Sequence, residues 1–174
     1  MTGEGVSPDG TTSARYAFRH ALYQQVLDQN LRPSQRRRLH QKIGEQLEAS
    51  HAGRTEDVAS ALAAHFERSG DVERAVRYHG EAAAQARWRF SYQETRLHVE
   101  AGLRLMRERA ETTEAMRRQA VMLDDLGWAS VASRGWGDEG AARAFARMRE
   151  LAERLDAAEA RFNAMAGELT VHTM

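Results

Sequence analysis

The chain has 174 residues, of which 42% are hydrophobic and 29% charged, with 25 basic and 25 acidic side chains and no cysteine. The missing cysteines exclude a disulfide scaffold, a thiolate zinc site and a cysteine nucleophile. With no apolar run near the length of a membrane span and no signal-peptide pattern, a soluble cytoplasmic protein is expected.

The zero net charge covers a gradient. Residues 13–54 carry eight basic against three acidic side chains, and residues 111–174 carry eight against eleven. Two separate surfaces follow from this better than a nucleic-acid-binding whole. Lys42 is the sole lysine among the basic residues. Two prolines and few β-branched runs predict an all-α protein.

Residues 1–12, MTGEGVSPDGTT, are polar and are expected to be disordered. Ser13 to Arg19 alternates, with Tyr16 and Phe18 on one side, and predicts one short strand needing partners from elsewhere. A helix is expected from His20 to about residue 30. Arg32-Pro33 ends it, and Ser34 is expected to cap a second helix reaching Glu48, with Leu39, Ile43 and Leu47 inward. His51 to Arg54 is a loop.

The most regular stretch runs from Val58 to Ala86. Ala59, Leu62, Ala63 and Phe66 share one helical face, Ser69-Gly70 stops that helix, and Asp71 caps the next. Ala75, Val76, His79, Ala82, Ala83 and Ala86 then form a face of mostly small residues. The spacing predicts an antiparallel helical hairpin. Further helices are expected over 91–109 (Tyr92, Val99, Leu103, Met106 inward) and from Thr112 to near Arg134 (Met116, Ala120, Leu123, Gly127 inward). After a Gly135-Trp136-Gly137 hinge, Asp138 caps a helix with Ala141, Phe145, Met148, Ala152 and Leu155 inward. A last helix, from residue 157 to about 169, carries Phe162, Met165 and Leu169 on a face with no partner after it, so the repeat series is expected to be cut there.

Leu62-Ala63, Phe66, Gly70-Asp71, Ala75 and Ala82 resemble a tetratricopeptide repeat. More broadly, YAFRHALYQQVL, RRRLHQKIGEQLE and the hairpin after them resemble a run in bacterial signal-transduction (STAND-type) ATPases. Many of these are LuxR-like or winged-helix transcriptional regulators, and others carry an adenylate cyclase domain. LDDLGWASVASRGWG and the segment closing on LAERL extend the resemblance over Tyr16 to Leu169. It implies an all-α, tetratricopeptide-like α-solenoid with one short N-terminal strand. The division implied is a disordered 1–12, a winged-helix remnant with linker helices at 13–54, and helical repeats at 55–174.

No G-x-x-x-x-G-K-[ST] occurs, so the chain alone is expected to bind no nucleotide cofactor and to be no enzyme. In the related nucleotide switches a histidine at the start of a winged-helix helix reaches the bound phosphate. His20 resembles that position within an intact parent, and it serves equally well as a packing or capping residue. The histidines show no HExxH and no close ligand pair, and Asp124-Asp125 and Asp138-Glu139 read as surface and cap residues. Arg36-Arg37-Arg38 with Arg32 and Lys42 spread around a helix, as a solvated face does.

If the repeats behave like their family, Asp57, Ser60, Glu67 and Arg68 line a partner-binding groove in the first hairpin. Asp124 and Trp128 do so in the second, Trp128 being either an aromatic anchor or a residue buried on its neighbour. The implied function is a non-catalytic interaction or sensor segment of such an ATPase, with a protein or peptide, or the parent's own domains, as partner. The alternatives are a free-standing adaptor and, more distantly, a small DNA-binding regulator. The last helix is a candidate homodimer surface.

Overall fold

The computed structural model describes residues 2–6, 12–16, 31–107 and 110–172. They include seven α-helices, in an all-α fold whose helices pack on their neighbours. Among the described residues no helix is long and apolar enough to cross a membrane. The expected helix over 20–30, with His20, lies outside them. The chain divides into two compact units, residues 1–75 and 76–174.

In the first unit, strands β1 (Thr2–Val6) and β2 (Thr12–Tyr16) pair antiparallel, with Thr2 opposite Tyr16 and Val6 opposite Thr12. The strand expected to lack a partner within the chain thus takes its backbone partners from the stretch expected to be a disordered tail. Helix α1 (Pro33–Ser50) begins with proline in its first turn, where the missing N–H costs nothing. The Arg32 amide donates to the Gln35 side-chain oxygen at 3.1 Å, so Ser34 lies inside the first turn and is not the cap.

The inward face of α1 also differs from expectation. Leu39 and Ile43 are exposed (43% and 37%), whereas His40 and Gly44 are buried. Gly44 sets this face, because the Phe66 ring packs where its side chain would be, and a Cβ there would lie 3.0 Å from the ring. Phe66 belongs to helix α2 (Ala59–Ser69), which follows a short 3-10 turn at Thr55–Val58. Ala59, Leu62, Ala63 and Phe66 are all buried, as their spacing predicts. Gly70 ends α2 at φ +87°, a backbone shape that only glycine adopts cheaply. The Asp71 carboxylate then accepts from the Arg74 amide at 3.2 Å and starts helix α3 (Val72–Trp88), within which the division between the units falls.

The second unit continues with α4 (Tyr92–Met106), α5 (Thr113–Arg134), α6 (Glu139–Arg154) and α7 (Ala158–His172). Thr112 and Asp138 cap α5 and α6, accepting from Ala115 and Ala141 at 3.1 and 2.9 Å. Helices α5, α6 and α7 each pack on the one before, and α5 also touches α7, as in a stack of helical hairpins. Leu123, Met148, Leu151 and Ala164 fill the centre. Phe145 of α6, fully buried, lies between Gly127 of α5 and Gly167 of α7. On α7, Phe162, Met165 and Leu169 form an exposed apolar face, while Ala164 and Gly167 turn inward.

Histidines that sit one per helix in the sequence meet in pairs across consecutive helices. His40 on α1 meets His65 on α2, and His79 on α3 meets His98 on α4.

A Cβ at Gly127 or Gly167 would stand 2.4 or 2.5 Å from the Phe145 ring, closer than any relaxed contact. Gly127→Ala is therefore expected to destabilise the protein by about 1–3 kcal/mol, after its gain in helix propensity. Urea unfolding of the variant beside the wild type checks this; an unchanged midpoint would show that Phe145 is not held there.

Candidate functional site

In the first unit the expected groove residues follow one another along the 3-10 turn and α2. Helical spacing puts residues 60 and 67 on one line of α2 with residue 68 beside it, while residue 57 sits on the 3-10 turn before the helix. Asp57, Ser60 and Arg68 are exposed and Glu67 is half-buried. Asp57 reaches Arg54 at 3.9 Å, an exposed ion pair of little energetic weight. The surface is polar and holds no large apolar anchor.

The second unit is more specific. Asp124 and Trp128 lie one turn apart on α5. The Trp128 ring meets Phe145 edge-on with centroids 5.3 Å apart. Trp128 is still 38% exposed, so one face packs on the core and the other stays open.

The adjacent acids are not the surface residues they were expected to be. Asp125 is only 9% exposed and lies 3.2 Å from the Arg87 guanidinium. Burial pushes its carboxyl above the usual aspartate range, with Arg87 pulling down and Asp124 pushing up. Asp124 is raised too, mainly by burial, against the downward pull of the neighbouring Trp128 indole and Arg87. Its Oδ1 is buried with no hydrogen-bond partner among the described residues. Two acids share one arginine here. That leaves an ionised Asp124 under-compensated.

Trp128 also forms one wall of an open cleft of about 550 Å³, with Tyr92, Val131, Ala132 and Trp136 as further walls. Gly135, at φ +96°, turns the chain sharply at the end of α5 and brings Trp136 alongside. The sequence reading assigned Trp136 to a hinge and Tyr92 to an inner stripe; an aromatic between two glycines was the signal available for the first. Comparison with protein-family models, curated proteins and solved structures gives no match.

This unit therefore offers an exposed aromatic surface. Among the described residues there is no group of three or more histidine, aspartate or glutamate side chains able to hold a metal ion. On α1, Arg37, Arg38 and Lys42 are exposed and Arg36 half-buried, distributed around the helix.

A folded-state carboxyl pKa raised above its unfolded value stabilises most below the unfolded value and loses that contribution as pH rises through the folded one. At neutral pH an ionised Asp124 is therefore a cost. Asp124→Asn, which keeps the side chain's shape and carries no charge, is expected to raise the thermal midpoint by a few degrees at pH 7. The gain should shrink as pH falls towards 3.8, the ordinary value of the group. A midpoint lowered at pH 7 would mean that the charge is well compensated after all.

Proposed function

We propose that this chain is a non-catalytic protein-interaction or sensor segment of a bacterial signal-transduction ATPase, with transcriptional regulation as the parent's output. The cleft between Trp128, Trp136 and Tyr92 is the observation that carries the interaction role. Aromatic side chains bury large area with few rotamers to freeze, which is why they dominate binding energy at protein contacts. The all-helical stack supports the reading because it holds Tyr92 and Trp128, two of the cleft's three aromatics, on helices. The parent is inferred from the order of residues resembling that family. In such a cytoplasmic parent, partner binding at the cleft would bias the nucleotide switch, and His20 would contact the nucleotide phosphate.

The same cleft also suits a free-standing adaptor for a protein or peptide. Reading the transcript upstream of Met1 separates the two. A frame continuing back into a strand followed by G-x-x-x-x-G-K-[ST] supports the ATPase parent, and a stop codon just before Met1 supports the adaptor. For the interaction role itself, a random displayed-peptide library panned on the chain should yield binders. Trp128→Ala should weaken them at least about tenfold with helical content unchanged. Binders indifferent to both Trp128→Ala and Trp136→Ala would remove the cleft from the account.

A further inference from the structure

The two histidine pairs have one geometry. The Nδ1 atoms of His40 and His65 lie 3.0 Å apart and those of His79 and His98 3.1 Å apart. Ring centroids are separated by 5.2 and 5.3 Å, with tilts of 43° and 47°. One pair lies in each unit, and each joins consecutive helices.

An imidazole nitrogen carries either a proton or a lone pair, so two Nδ1 atoms at this distance need one of each. Two neutral rings in opposite tautomers satisfy that. An imidazolium donating to a neutral ring also does. Two imidazolium rings do not, since both Nδ1 atoms would then present N–H groups and positive charge to each other. We propose that each pair is a one-proton site and acts as an acid-sensitive latch, closing α1 on α2 and α3 on α4 until a second proton forces it open.

The surroundings favour release. His40 and His79 are each 6% exposed, so water cannot solvate a second charge in place. Arg68 adds positive charge beside the first pair, and Arg36 lies one helical turn before His40. Beside the second pair Arg89 opposes a charge on His98 and Glu94 favours it. On α5 the group nearest is apolar, since Gly102 brings Met122 up beside the His79 Cβ. Burial first, then the partner histidine, holds both His65 and His98 below the ordinary imidazole value of 6.5. A lowered folded-state pKa contributes stability above the unfolded value and loses it as pH falls through the folded one. The latches therefore weaken in the mildly acidic range, below pH 6.5.

The test compares the full chain with His65→Asn/His98→Asn, whose amides keep a hydrogen-bonding atom at the δ position and take no proton. Thermal unfolding is followed between about pH 7.5 and 5. The wild-type midpoint should fall over this range, and that of the double variant by half as much or less. Imidazole nitrogen NMR of the wild type should show each pair taking one proton with the native spectrum intact, and the second only as native signals vanish. That titration decides the matter even if the variant does not fold. Equal falls in midpoint, or four imidazoles titrating independently in an intact native spectrum, would overturn the proposal.

Discussion

The second unit depends on one ring held between two places without side chains. Phe145 can be fully buried at the crossing of α5, α6 and α7 because Gly127 and Gly167 leave it room. A glycine inside a helix costs about 1 kcal/mol relative to alanine. Burying a phenylalanine contributes about 1.5–3 kcal/mol, and this one needs both glycines. The same ring sets the candidate site, since Trp128 follows Gly127 directly and rests edge-on against Phe145. Core packing and the aromatic cleft are thus one construction.

The first unit repeats the device at smaller scale. Gly44 of α1 admits Phe66 of α2, and the Arg74 guanidinium lies 5.1 Å from the centre of that ring. Arg74 also gathers Glu48 at 3.5 Å, Glu45 at 3.7 Å and the capping Asp71 at 3.6 Å. It therefore ties the start of α3 to the end of α1. A glycine facing a phenylalanine fixes how closely two helices approach, and polar groups then fix their register.

What the sequence made legible follows from what periodicity measures. The faces through Ala59–Phe66, Ala75–Ala86 and Ala141–Ala152 were readable because apolar and small residues recur there at helical spacing, between Gly70, Asp71 and Asp138 as punctuation. On α1 the same reasoning chose Leu39 and Ile43, because glycine and histidine carry little weight as core residues in an apolar pattern. Gly44 is inward for what it lacks and His40 for its partner. The pairs Asp125–Arg87, His40–His65 and His79–His98 left no local trace, since each partner is 19 to 38 positions away in sequence. Trp128 was found through a resemblance, while Trp136 entered the cleft only once the turn at Gly135 was in view.

The cleft is preformed, with Trp128 held edge-on against Phe145 before any partner arrives. Hydrogen exchange at the tryptophan indole N–H groups tests it most directly. The account predicts that Trp128, 38% exposed and packed on Phe145, exchanges more slowly than Trp88, which is 80% exposed. Equal, fast exchange at both indoles in the native protein would contradict it.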